Sequence, residues 1–355
     1  QAFLDSLTVE PGSVIMVNIN GRDVLVMNAL TSITGDFQAD NVNTLIEVDL
    51  TELQSIGGNI DIQGDLSMTT LNLPALTNVA GSVNVQGDPS LSAVEISGIT
   101  DIGGNFPLIG TAATIINVGA LHQVAGSVPI DDNQDATAID AGSLTSAGSV
   151  DISNNIAATT IDVGGLTTVV GSVDITGDSS VTSVAVGSLT SAGSVNIADD
   201  SAATVINVGS LTSTSGSVDI IDNASATTID VSSLAGAGSV DISGNSSVTA
   251  INVGSLTSTT GAVTISDDTA ATSVALTTLG SAGSVTITGD TDAATIDAGA
   301  LTTVTGDVTI DGNGGATVNV GSLTNVSGDV AIVSTGTGTF AAGNNTQVAG
   351  STTIT

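Results

Sequence analysis

The sequence predicts an all-β fold, a parallel β-solenoid (β-helix) of about fifteen coils of 22–23 residues with no helical domain. Three observations carry that expectation. A glycine followed by a small or polar residue and an apolar β-former recurs from Gly12, Gly35 and Gly58 through to Gly328 and Gly350, always at a spacing of 22 or 23 residues. Inside each repeat, apolar and polar residues alternate with a period of two, which excludes helical repeats of period about 3.6. Finally, 41% of residues are hydrophobic, almost all Val, Ile, Leu and Ala, which is enough aliphatic material for a continuous core and too much for a disordered tract.

The elements of one coil follow in order from Gly148. The stretch Gly148-Ser149-Val150-Asp151-Ile152-Ser153 alternates as a half-buried strand does, and Asn154-Asn155 turns the chain. Thr159 to Val163 alternates again, Gly164-Gly165 makes a second turn, and Leu166 points inward before a short polar stretch reaches Gly171. Three inward columns result, typified by Val150/Val173/Val195, Ile152/Ile175/Ile197 and Leu144/Leu166/Leu189. One coil cannot bury its own apolar face, so coils must stack, each strand pairing in register with the next. From Leu144 onward the corner between Leu and the next anchor alternates in length, first in Leu144 to Gly148 and Leu166 to Gly171, giving double-coil units of 45 residues.

The expected organisation is residues 1–11 as an N-terminal cap or assembly strand, 12–350 as solenoid repeats and 351–355 as a terminal strand. Early coils are more varied, with Phe37 and Phe106 in the Val column; later ones are more uniform.

The pattern Leu76-Thr-Asn-Val79-Ala-Gly81-Ser-Val83-Asn-Val85-Gln-Gly87-Asp88 resembles receptor L-domains and related leucine-rich-like cell-surface proteins, and Leu301 to Gly312 and Leu323 to Ile332 repeat it. The resemblance is one of repeat. It implies a surface or secreted protein used in wall organisation or ligand recognition, and no enzyme.

Charge narrows the function classes. Thirty-five carboxylates stand against one Lys or Arg, a formal net charge of -34. Such a surface repels nucleic acid and anionic lipid and attracts cations. No stretch reaches the roughly 18–20 apolar residues that a membrane helix needs. The chain starts at Gln1 and not Met, so the expected localisation is extracellular or cell surface, after removal of a signal peptide.

Several residues are candidates for chemistry. An Asp/Asn turn column runs through Asp65, Asp88, Asn133, Asn155, Asp178, Asp200, Asn223, Asn245, Asp268, Asp290 and Asn313, interrupted at Thr111. Its structural reading is that Asn and Asp tolerate a left-handed backbone in turns. Its functional reading is calcium, with Asp178/Asp199/Asp200/Asp222 and Asp267/Asp268/Asp290/Asp292 as the best clusters. No cofactor is required on either reading. A Thr column (Thr114, Thr137, Thr159, Thr182, Thr204, Thr227, Thr249, Thr272) is expected inward or at a corner, and its mixed neighbours argue against an ice-binding face.

His122 is expected at a corner, Arg22 in the turn Asn20-Gly21-Arg22-Asp23, and neither has a catalytic partner at a recognisable spacing. Four sequons begin at Asn223, Asn245, Asn325 and Asn344, the first two in a turn column taken as exposed.

The leading expectation is a structural extracellular protein, a filament subunit that binds copies of itself head to tail, with Phe3, Leu4, Leu7, Phe340 and Ile354 near the joint. Divalent cations or surface glycans are further partners. The alternative is a calcium-dependent adhesin or a glycan- or ice-binding surface protein.

Overall fold

In a computed structural model the structure describes residues 9–17, 24–333, 340–342 and 347–355. The described residues are all β, without a helix, and none forms an apolar helix long enough to cross a membrane. The chain divides into two compact units, residues 1–181 and 182–355, and each is a parallel β-solenoid.

In the first unit a coil contains three strands, for example Ser55–Ile56, Ile60–Gln63 and Thr70–Asn72. The four-residue strand pairs in parallel with Val83–Gln86 of the following coil, Ile60 opposite Val83 and Ile62 opposite Val85. Thr70–Asn72 pairs with Glu47–Asp49 behind it and Ala93–Glu95 ahead. Register therefore advances by one repeat, and like residues stack on like. The two-residue strand is an addition to the sequence expectation, which left this stretch as a polar connection. Only one of its two residues points inward, too little for alternation to register.

The second unit repeats this plan in Ser239–Ser243, Ala250–Asn252 and Ser258–Thr259. Val240 stands opposite Val263 and Ile242 opposite Ile265. The inward columns expected from the sequence are buried throughout, including Leu144, Leu166, Leu189, Leu211 and Leu234 at 0% exposure. Phe37 and Phe106 are also wholly buried in the Val column. Burial of side chains of this size contributes about 1.5–3 kcal/mol each.

The anchor glycines have a steric cause. The Gly81 N–H donates to the Gly58 carbonyl at 3.0 Å, and a Cβ on Gly81 would lie 2.7 Å from that same oxygen. Backbones of successive coils approach too closely here for any side chain. The alternating corner beside them is a β-bulge: Val124 pairs with Ala147 and Ser127 with Ser149, so one strand carries an extra residue. In longer corners that residue turns outward, as with Val170 at 88% exposure.

Candidate functional site

The Asp/Asn column is the most regular polar feature of the molecule, and the structure places it inside. Asp65, Asp88, Asn133, Asn155, Asp178, Asp200, Asn223, Asn245, Asp268 and Asp290 are all 0% exposed. The expectation that these residues adopt the left-handed turn conformation is corrected: that conformation belongs to the residue before each of them. Asp132, Asn154, Asp199, Asp222 and Asp267 have φ between 55° and 60°, while Gly64, Gly87, Gly177, Gly244 and Gly289 fill the equivalent place in other coils. The turn throws the following Asn or Asp back beneath the preceding coil.

There it forms a hydrogen-bond ladder. In the first unit the Asp65 N–H donates to Asp88 Oδ1 at 2.7 Å, the Asn133 N–H to Asn155 Oδ1 at 3.1 Å, and the Asn155 N–H to Asp178 Oδ1 at 2.7 Å. Thr111 is less an interruption than a substitute, since its N–H and hydroxyl both donate to Asn133 Oδ1. The second unit has the same ladder, from the Asp200 N–H to Asn223 (3.0 Å), Asn245 to Asp268 (2.7 Å) and Asp290 to Asn313 (3.0 Å).

Each ladder asparagine also donates from Nδ2 to the carbonyl of an inward residue one coil back. Asn133 reaches Leu108, Asn155 reaches Ile130, Asn223 reaches Ile197, Asn245 reaches Ile220 and Asn313 reaches Ile287, all at 2.7–2.9 Å. Five of the ladder aspartates have raised carboxyl pKa values. Burial pushes the carboxyls of Asp88 and Asp290 up to about 6, Asp178 to about 7 and Asp268 to about 8, and raises Asp65 as well. Backbone hydrogen bonds to Oδ1 oppose these shifts but do not outweigh desolvation.

This geometry separates the eight calcium candidates. Asp178, Asp200, Asp268 and Asp290 lie in the buried ladder, whereas Asp199, Asp222 and Asp267 sit at exposed left-handed corners and Asp292 is exposed beside one. Residues adjacent in sequence thus project to opposite sides of the wall. Among the described residues, no group of three or more His, Cys, Asp or Glu is placed to hold a metal ion. Other carboxylates cap turns: Asp140, Asp162 and Asp297 each accept the N–H of the residue two further on.

The Thr column stands at an exposed corner, one of the two expected placements. Its hydroxyls form a second ladder, donating to the carbonyl of the previous coil's Thr, as from Thr159 to Thr137 (3.2 Å) and from Thr227 to Thr204 (3.1 Å). His122 is exposed at a corner, where its carbonyl accepts the Thr145 N–H. Asn223 and Asn245 are corrected from exposed to buried, with both ends of each side chain bonded, so the folded wall has no room for a glycan there. Asn325 is exposed.

Of the expected joint residues, Ile354 is 48% exposed on the strand Thr352–Ile354. Phe3, Leu4, Leu7, Arg22 and Asn344 lie outside the described residues, as does the side chain of Phe340. A shallow groove of about 420 Å3 in the first unit has Asp101 as its one carboxylate, and one of about 290 Å3 in the second has none.

Sequence reasoning missed what the ladder does. The available signal was substitution pattern: the column exchanges Asn for Asp freely, as a position can where the bond it makes is to Oδ1, which both residues carry.

No family model matches the chain, and no curated protein does. A leucine-rich repeat protein from Bacteroides ovatus ATCC 8483 has a solved structure similar at a TM-score of 0.23, with 13% identity over 79% of each chain.

Proposed function

We propose that this chain is a structural, non-catalytic protein of the cell exterior, a subunit of a surface filament or stalk built by stacking coil on coil. The observation that supports it is that the polar groups of the wall, buried and exposed alike, serve the neighbouring coil. Ladder amides, anchor glycines and corner threonines all bond one repeat forward or back. A coil edge is therefore a template for another coil, whether of the same chain or of a second copy. The grooves lack the paired carboxylates that acid–base hydrolysis needs. The outward carboxylates keep such walls soluble and draw divalent cations diffusely.

Negative-stain electron microscopy of the purified protein, with calcium and again with a chelator, tests this reading. Continuous thin fibres in both conditions are expected. Isolated particles under every condition would overturn it in favour of an adhesin, and fibres only with calcium would make the corner carboxylates Asp199, Asp222 and Asp267 the assembly site.

A further inference from the structure

We propose that Asp65, Asp88, Asp268 and Asp290 stand in the fold as neutral carboxylic acids. Each imitates the ladder asparagine by donating from Oδ2 to an inward carbonyl of the preceding coil, so the coil stack tightens in acid and loosens as the pH rises.

Register is the first ground. In the first unit Ala39, Ile62, Val85 and Leu108 form one inward row, each opposite the next. Asn133 donates to Leu108 of that row, at the coil before its own. Asp65 and Asp88 hold the same place relative to Ala39 and Ile62. In the second unit the row is Ile220, Ile242, Ile265 and Ile287. Asn245 takes the carbonyl of Ile220 and Asn313 that of Ile287. Asp268 and Asp290 fall in turn at Ile242 and Ile265. A carbonyl carries two lone pairs, so it accepts a ladder donor besides its strand partner.

The second ground is the oxygen itself. In all four aspartates Oδ1 accepts a backbone N–H, as the asparagine Oδ1 does. Oδ2 is buried and has no hydrogen-bond partner. An ionised carboxylate there would be acceptor-only beside a carbonyl, with nothing to donate to it. A proton on Oδ2 converts this repulsion into the bond the asparagine makes.

The third ground is the company the four residues keep. Asp40 acts on Asp65, Asp241 on Asp268 and Asp267 on Asp290, and neighbouring ladder carboxyls oppose each other's ionisation, Asp65 that of Asp88 and Asp290 that of Asp268. The charged groups felt by each are carboxylates, and no cation among them offsets a buried negative charge. Desolvation and this repulsion both raise the carboxyl pKa, to about 6 for Asp88 and Asp290 and about 8 for Asp268.

A raised folded-state value means the folded chain binds more protons than the unfolded one between 3.8 and that value. The stabilisation is complete below pH 3.8 and is lost as the pH climbs through the folded-state values. This is opposite to the usual aspartate, whose native contacts favour the ionised form.

Asp88→Asn, Asp268→Asn and Asp290→Asn in the full chain test the proposal, with the half-buried turn variant Asp230→Asn, outside the ladder, as control. At pH 8 each ladder variant is expected to raise the folded-to-unfolded ratio at least about tenfold, one pKa unit's worth. At pH 4 the same variants should leave it near the parent's value. Infrared spectra of the folded parent at pH 6 should show a protonated carboxyl stretch that weakens with each ladder variant and not with Asp230→Asn. Ladder variants less stable than the parent at pH 8, or a parent spectrum without that band, would overturn the proposal.

Discussion

The two units use one coil, and the opening coils of the first fill it differently from the second. There the row beneath the long strands holds Phe37, Ile60, Val83 and Phe106, before Val128, Val150 and Val173 take it over. The row after the ladder turn holds Leu45, Met68 and Leu91, before Ala113, Ala136 and Ala158. In the second, the same rows read Val195, Val218, Val240, Val263 and Val285, and Ala203, Ala226, Val248, Ala271 and Ala293. Both sets are buried almost completely. The first core is fitted by shape, a large residue in one coil against smaller ones above and below; the second is fitted by repetition. What the coil requires is inward parity and a total volume, and residue identity matters only where backbones touch or ladders bond.

The comparison can be tested, beginning with the largest effect. Phe37→Ala should cost about 3–5 kcal/mol in chemical denaturation, because a shape-fitted site cannot collapse onto the hole. The same one-methyl deletion made in both units, Ile62→Val and Ile265→Val, should cost about 0.5–1.5 kcal/mol each, with the larger loss at Ile62. Equal costs would break the distinction.

Asn245→Leu comes next. It strips the Asn223 N–H and the Ile220 carbonyl of their side-chain partner and should cost about 1–3 kcal/mol. The first unit supplies the contrast: Val42 already occupies the ladder position and only donates its N–H, to Asp65 Oδ1. The expected readout is hydrogen exchange, faster around residues 220–245 and unchanged near Val42.

Acid dependence sharpens the comparison further. Moving the wild-type chain from pH 4 to pH 8 should lower stability by about 1–3 kcal/mol per buried ladder aspartate, read from denaturation midpoints. The loss in the second unit should extend to higher pH, since Asp268 there is pushed to about 8, and Asp88 and Asp178 in the first to about 6 and about 7.

The smallest effect belongs to the exposed corner. Thr227→Val removes one hydroxyl bond to the Thr204 carbonyl and should cost about 0.5–1 kcal/mol.

Most of the fold could be read directly from residues. Glycine anchors and the Val, Ile and Leu columns report parity and spacing, and parity decides which side of a parallel wall a residue faces. The third strand was hidden because two residues such as Thr168 and Val169 cannot display a period. The ladder was misplaced for a different reason. Asn and Asp in a Gly-rich turn ordinarily mean solvent, and only the following coil, which no local window contains, turns Asn155 from a surface residue into a buried one. Charge misled in the same way: a carboxylate written as -1 in the sequence carries a proton when a backbone carbonyl and no cation await it.

The bulged corner has a practical consequence. In the second unit Ser215, Thr260 and Thr305 each occupy the extra outward place, two coils apart, while intervening coils pass the same corner without it. The wall thus already accepts two lengths at this point without shifting register in its core. Short peptides inserted there would be displayed as a ruled series along one edge, about 10 Å from one to the next.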